Sequence, residues 1–339
     1  MKKLKYLLFL LLIGIIGTAI YVAVQPNDFK VTRSHTIPAP TAVVFNNVVD
    51  FKNWEFWSSW VETNPELQIT LSEETEGLNA LLSWQVKDDK GSIKTTEITK
   101  NTLVKQQLQF GDYPPSEVLW EFDSSADGST QVSWTVSAKD LPFDYKFYTV
   151  FSGDLEEEIG GHLERSLKNL DSVVVHSMKV YSVKIDGVTE YGGGFYMYKT
   201  TSATGVNMSD IMDEQYHAVL SYMTNQSIAQ TGKPFTIYHS RDSSRNEFIM
   251  SQAIPVQNKV VVTGNSAVLC GYMPKIRVLK ATLKGDYRYL PEAWETVQNY
   301  LNENYMERSD VLPFEIYQND PKNVPNPADW ITEIYFPIK

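Results

Sequence analysis

The sequence predicts an α+β protein in three parts, and three observations predict it. A long uncharged apolar run follows a cluster of lysines at the N-terminus. A series of short alternating segments with turn residues between them is then closed by a long amphipathic helical pattern. Finally, the motif Pro234-Phe-Thr-Ile-Tyr238 returns as Pro313-Phe-Glu-Ile-Tyr317, which marks an internal repeat. The parts are a transmembrane helix within 1–27, a first soluble domain over 28–177 and a second over 178–339.

Residues 6–24 carry no charge and are almost wholly apolar, preceded by Lys2, Lys3 and Lys5. A stretch of this length crosses a bilayer as a helix. Tyr6 and Tyr21 stand near its ends, where aromatic belts occur, and the lysines predict a cytoplasmic N-terminus. A cleaved signal peptide is the rival reading, with Gly17-Thr18-Ala19 as its small-residue site. Both readings place the rest of the chain on the far side of the membrane.

The first soluble domain opens with a strand over Phe29–Ile37. Thr41 then starts a helix whose Val44, Phe45, Val48 and Val49 form an apolar stripe. Trp54, Trp57 and Trp60 crowd the next turn, which reads as one packed corner. Strands are expected near 66–74, 79–88, 91–100, 103–111, 117–124 and 130–139, separated by Asp88-Asp-Lys-Gly91, Gly111-Asp-Tyr-Pro-Pro115 and Ala126-Asp-Gly128. One long helix is expected from Tyr148 to Val175, with Leu155, Ile159, Leu163, Leu167 and Leu170 near one face. Glu156, Glu157 and Glu158 precede His162 without metal-binding spacing and read as a solvated face.

This order, together with Ile37-Pro-Ala-Pro-Thr-Ala-Val-Val-Phe45, Phe51-Lys-Asn-Trp54-Glu-Phe-Trp57-Ser-Ser-Trp60 and the stretch Phe151–Leu170, resembles the START-like (SRPBCC, or polyketide cyclase/dehydrase) superfamily. The resemblance implies a helix-grip fold, a sheet wrapped on the long helix around an apolar cavity. It also implies a hydrophobic ligand such as a lipid, isoprenoid or polyketide.

In the second domain each copy of the repeat motif follows a helical pattern, Ser209–Ile228 and Pro291–Tyr305. Each is preceded by a strand, Gly194–Thr200 and Lys275–Lys284, and followed by another that ends at Ile254-Pro255 or Phe336-Pro337. The unit is β-α-β-β, used twice. The final strand, Trp330–Ile338, places Ile331, Glu333 and Tyr335 on one face and Thr332, Ile334 and Phe336 on the other, with Pro337 expected to stop it. A carboxylate in so apolar a strand needs a partner, or its pKa rises.

The repeat, the last strand, Gly232-Lys-Pro-Phe-Thr-Ile-Tyr238 and Tyr287-Arg-Tyr-Leu-Pro-Glu-Ala-Trp294 resemble the GyrI-like effector-binding domain. That resemblance implies a groove between two halves, with a glutamate among aromatics holding an aromatic or cationic ligand. Glu333 is the matching position, and the repeat aligns it with Ser251. The candidate walls are Tyr238, Tyr317, Tyr335, Tyr196, Tyr198 and Trp294. Hydrolysis of a reactive small molecule, with Glu333 as base, is the alternative function.

The formal net charge of −11 and the absence of a long basic run speak against nucleic acid as a partner. The single cysteine, Cys270, cannot form an intrachain disulfide and reads as a small core residue. No cofactor or metal is expected. The expected partners are a hydrophobic or cationic small molecule and the membrane.

Overall fold

The computed structural model describes residues 2–152, 155–204, 208–242, 247–264 and 266–339. The chain forms two compact units, Met1–Ser177 and Met178–Lys339, both mixed α+β and each built on one antiparallel sheet.

The first unit begins with helix α1 (Lys2–Ala23), whose Leu4–Ala23 stretch is long and apolar enough to span a membrane. Strand β1 (Phe29–Ile37) and helices α2 (Thr41–Val49), α3 (Trp54–Trp57) and α4 (Ser59–Thr63) follow. A meander comes next: β2 (Gln68–Leu71), β3 (Leu81–Val86), β4 (Asp89–Thr99), β5 (Leu103–Phe110), β6 (Ser116–Ser124) and β7 (Thr130–Ala138). Among the described residues the sheet runs β1-β7-β6-β5-β4-β3-β2. Thus β1 closes against the last strand rather than the next one, pairing Phe29 with Ala138 through Ile37 with Thr130.

The helix expected from Tyr148 begins earlier, at Phe143: α5 (Phe143–Ser152) and α6 (Leu155–Ser177) flank residues 153–154, which lie outside the described residues. The first starts earlier because Asp140, at φ +54°, turns the chain just before Pro142, a residue suited to a helix start. Leu163, Leu167, Leu170 and Val174 form the buried stripe of α6, which packs on β1 and on α2, α3 and α4. Tryptophans fill the core on this side of the sheet. Trp120 and Trp134 stack at 4.0 Å, and Trp54 and Trp57 meet them edge-on. Their indole N–H groups find partners where the fold supplies them: Trp54 donates to the Val48 carbonyl and Trp120 to Gln106 Oε1. His162 is explained here as well. It stacks on Trp60, and its Nδ1 lies 2.9 Å from the buried Ser59 hydroxyl, which also joins Ser166. Among the described residues no group of three or more His, Cys, Asp or Glu could hold a metal ion.

The second unit contains β8 (Ser182–Tyr191), β9 (Gly194–Thr204), α7 (Met208–Asn225), β10 (Phe235–Asp242), β11 (Glu247–Val256), β12 (Leu269–Met273), β13 (Ile276–Lys284), α8 (Leu290–Glu303), β14 (Phe314–Tyr317) and β15 (Ile331–Ile338). Among the described residues its sheet runs β12-β9-β11-β10-β14-β15-β13-β8. Gly192 and Gly193 turn β8 into β9 at φ +101° and +84°. A Cβ on Gly192 would lie 2.1 Å from the Pro274 carbonyl oxygen, so only glycine fits.

The register at the sheet centre gives the unit its symmetry. Strands β10 and β14 pair Phe235 with Ile316, Thr236 with Glu315 and Ile237 with Phe314. The repeated motif therefore pairs with its own copy, and the local two-fold passes between Thr236 and Glu315. Helix α7 covers β9 and β11, while α8 covers β13. One sheet face meets these helices through Met197, Ile254, Val219 and Met223 on one side. On the other side Leu279, Ile334, Phe336, Ala293 and Val297 do the same. The opposite face carries its own core of Phe235, Ile237, Val278, Phe314, Ile316 and Tyr335.

Pro337 does not stop the last strand; β15 continues to Ile338. The Pro337 carbonyl accepts from the Ser309 N–H, on the side away from β13. A strand residue points its N and C=O to the same side, so the missing N–H falls where β13 does not need it.

Candidate functional site

Alternation along β14 decides where each polar side chain goes. Glu315 lies opposite Thr236 on β10 and Ile334 on β15, and so on the helix-covered face. Ile316 lies opposite Glu333, which therefore faces the other way.

Glu315 is fully buried at the two-fold. The Tyr238 and Tyr317 hydroxyls each donate to its Oε2 at 2.9 Å, and the Trp294 indole Nε1 donates to Oε1. Among the described residues no lysine, arginine or histidine reaches this carboxylate. Burial pushes its pKa up, and the hydrogen bonds from Trp294, Tyr317 and Tyr238 only partly offset that. Burial, and then the charge of Glu315, hold both tyrosine phenols far above their ordinary pKa, so they remain donors. Behind them Thr236 Oγ1 lies 3.2 Å from the Tyr317 hydroxyl and donates to Gln252 Oε1 at 3.0 Å.

Aromatic rings enclose the carboxylate. Tyr238 meets Trp294 edge-on at 5.8 Å, and Tyr287 meets Tyr317 at 5.5 Å and Trp330 at 4.7 Å. Burial, followed by the charges of Asp320, Glu315 and Asp286, pushes the Tyr287 phenol up to about 12. Tyr216 on α7 is raised by burial and then by Asp320. Negative potential from several carboxylates thus reaches the rings around Glu315, and no charge-paired cation cancels Glu315 itself.

Glu333 has a different environment on the opposite face. Lys280 Nζ donates to its Oε1 at 2.6 Å, and Gln318 and the Tyr335 hydroxyl donate to Oε2 at 2.7 and 2.8 Å. Desolvation raises its pKa, but the bonds from Lys280 and Tyr335, the Lys280 charge and Gln318 together hold it below the ordinary value. Its register counterpart is Ser251, since Ile237 pairs with Ser251 as Ile316 pairs with Glu333. Ser251 is held by Thr200 at 2.8 Å and His239 at 2.7 Å.

The expected residues therefore fall into two groups. Tyr238, Tyr317 and Trp294 converge, on Glu315 rather than on Glu333. Tyr335, Tyr196 and Tyr198 lie on the face of Glu333, where Tyr335 stacks on Phe314 at 5.0 Å and Tyr196 meets Phe235 at 5.3 Å. The physical reason is parity: Glu333 is in register with Ile316, one residue from Glu315 and on the opposite face of the sheet. Glu315, Thr236 and Tyr287 escaped the sequence reading. A signal was present, because Glu315 is the one charged residue inside Phe314-Glu-Ile-Tyr317 and replaces the threonine of the first copy.

Residues 202–339, from within β9 to the C-terminus, match the family described as GyrI-like small molecule binding domain. Over that stretch the chain is similar to GyrI-like small molecule binding domains. The EcmrR C-terminal domain is similar at 18% identity, covering 47% of this chain and 98% of that one, with a TM-score of 0.41. EcmrR in complex with DNA is similar at the same identity and TM-score, over 54% of this chain and 69% of that one. Protein CV1439 from Chromobacterium violaceum is similar at 13% identity, over 44% of this chain and 98% of that one, with a TM-score of 0.33. No curated protein matches the chain.

Proposed function

We propose that this protein is a membrane-anchored, non-enzymatic small-molecule-binding protein whose C-terminal domain takes an aromatic or hydrophobic cation against Glu315. The observation that carries the reading is the fully buried Glu315 carboxylate, held by three neutral donors and, among the described residues, by no cation. Burying a charge without a counter-ion is costly, and a ligand cation would recover that cost. The rings of Tyr238, Trp294, Tyr317 and Tyr287 would add cation–π and dispersion contacts. Glu333, already paired with Lys280, then serves with Tyr335, Tyr196 and Tyr198 to support the sheet from behind. The central pairing of the repeat motif with itself supports reading the domain as a duplicated β-α-β-β unit.

In the same reading α1 is an uncleaved span with a cytoplasmic N-terminus, and nucleic acid is not a partner. The first unit is a START-like helix-grip domain for a hydrophobic ligand, supported by its antiparallel sheet packed on the long helix α6. The hydrolase alternative keeps one observation in its favour. The raised pKa of Glu315, beside two tyrosine donors, suits a general base.

The test is calorimetric titration with tetraphenylphosphonium, a hydrophobic cation with no hydrogen-bond donor. Binding by the full chain supports the reading. Absence of binding to this and to other aryl cations of similar size contradicts it.

A further inference from the structure

Helix α5 carries a row of aromatic side chains that the first unit does not cover. Phe143, Phe147, Tyr148 and Phe151 are 49%, 46%, 53% and 61% exposed. Phe143, Phe147 and Phe151 are spaced by four and form one stripe along the helix, with Phe147 and Phe151 in ring contact at 4.8 Å. A contiguous exposed aromatic row on a short helix marks an interaction surface.

Its position identifies the partner. Helix α1 is exposed along its apolar length until its last turn, where Val22 is fully buried. At that turn α1 and α5 pack together. Lys146 of α5, itself buried, donates its ammonium to the carbonyls of Ala23 and Gln25 at 3.2 and 3.1 Å. A cation there satisfies orphan carbonyls at the end of the helix and complements its dipole. The Leu141 N–H also bonds the Asn27 carbonyl, so the start of α5 is tied to the segment leaving α1. The point where the apolar span ends is therefore fixed directly beside α5.

Helix geometry then orients the stripe. Residues advance by about 100° each around a helix. Tyr145 packs inward, stacked with Phe29 at 6.5 Å and edge-on to Tyr113 at 5.1 Å. Phe147 is two residues on, nearly opposite Tyr145, and so points away from the sheet. Lys146, which grips the end of α1, lies between these two directions.

We propose that α5 is an interfacial helix that lies on the bilayer surface, with Phe143, Phe147 and Phe151 inserted at headgroup level where α1 leaves the membrane. Aromatic side chains favour that zone, and an amphipathic helix can rest in it. The consequence is a two-point attachment: α1 anchors the first unit, and α5 fixes its tilt on the membrane. The inference rests on reading α1 as a membrane span.

The test separates the two claims. Full-length protein, with Cys270→Ser, is placed in phosphatidylcholine–phosphatidylglycerol nanodiscs and spin-labelled at one introduced cysteine at a time. The positions are Ile13→Cys in α1, Phe147→Cys and Phe151→Cys in α5, and Lys100→Cys at an exposed turn. Power saturation compares collisions with oxygen, which partitions into lipid, against a water-soluble nickel chelate. Labels at 13, 147 and 151 are expected to favour oxygen, with 147 and 151 shallower than 13, while 100 favours nickel. Oxygen preference at 13 with nickel preference at 147 and 151 overturns the interfacial helix and leaves the anchor standing. Low collision with both reagents at 147 and 151 means a protein partner covers the stripe and also overturns it. Nickel preference at 13 overturns the anchor and the inference with it.

Discussion

Two carboxylates, one residue out of register on neighbouring strands, have opposite environments. Glu333 on β15 has a lysine at 2.6 Å, two neutral donors and a lowered pKa. Glu315 on β14 has three neutral donors, no cation among the described residues and a raised pKa. The first is complete within the protein, whereas the second is satisfied in its hydrogen bonds but not in its charge. The difference teaches that a buried acid in a binding domain is recognised by the counter-ion it lacks, not by burial or aromatic neighbours alone. Both acids have tyrosine partners, and of the two only Glu333 has a cationic partner among the described residues.

The comparison predicts unequal responses to substitution. The largest stability effect is expected at Trp294→Phe, which keeps a ring but removes the donor to buried Glu315 Oε1. A loss of about 1–3 kcal/mol follows for a hydrogen bond to a charged, buried group, read from urea unfolding. Gln318→Ala, which removes one of three donors to half-buried Glu333, should cost less. Equal losses would erase the distinction between the two sites. Next comes Lys280→Met, which leaves Glu333 without its cation. A loss of about 1–2 kcal/mol is expected, between the values for exposed and buried pairs, with cation binding unchanged. A large drop in cation affinity there would move the binding site to the Glu333 face.

The smallest effect is on pH dependence, and the two acids should differ in sign. The folded pKa of Glu315 is raised. Its contribution to stability is therefore present below the ordinary carboxylate range and is lost as pH rises through the folded value. The folded pKa of Glu333 is lowered. Its contribution is present above the ordinary range and is lost as pH falls through the folded value. Above the ordinary carboxylate range, Glu315→Gln should flatten a decline in stability with rising pH. Over the acid limb below about pH 4.3, Glu333→Gln should flatten a decline with falling pH. Unfolding curves across that range check both signs, and Glu315→Gln without effect on the alkaline side would mean its carboxyl is not raised.

Much of the architecture was legible because it is local. The turn at Gly111–Pro115 sits between β5, ending at Phe110, and β6, starting at Ser116, while the one expected at Asp88–Gly91 falls at Lys87–Asp88 because β4 already begins at Asp89. The α7 and α8 patterns and the repeated motif were likewise readable from spacing alone. What escaped depended on contacts distant in sequence. The early start of α5 at Phe143 follows from how the chain from β7 meets Asn27, far back in the sequence. Pro337 reads as a stop until Ser309 reveals which side of β15 its missing N–H faces. For the site, alternation correctly separated Glu333 from Ile334. No local rule, however, shows that Lys280 sits across from Tyr335 and reaches Glu333, or that Trp294 reaches Glu315. The aromatic candidates were drawn from both faces of one sheet because sequence gives parity within a strand but not between strands. The Thr236-to-Glu315 exchange inside the repeat was the local clue to the central position.

The central claim is that Glu315, not Glu333, is the counter-ion for a cationic ligand. Calorimetric titration of tetraphenylphosphonium into the wild type, Glu315→Gln and Glu333→Gln tests it most directly, with folding of each variant checked by circular dichroism. Losing a desolvated charge interaction of about 1.5–3 kcal/mol predicts roughly ten- to a hundredfold weaker binding for Glu315→Gln. Glu333→Gln should stay within about twofold of the wild type, since a change below about 0.4 kcal/mol is expected where the ligand makes no contact. The reverse pattern, with affinity lost in Glu333→Gln and kept in Glu315→Gln, would contradict the account.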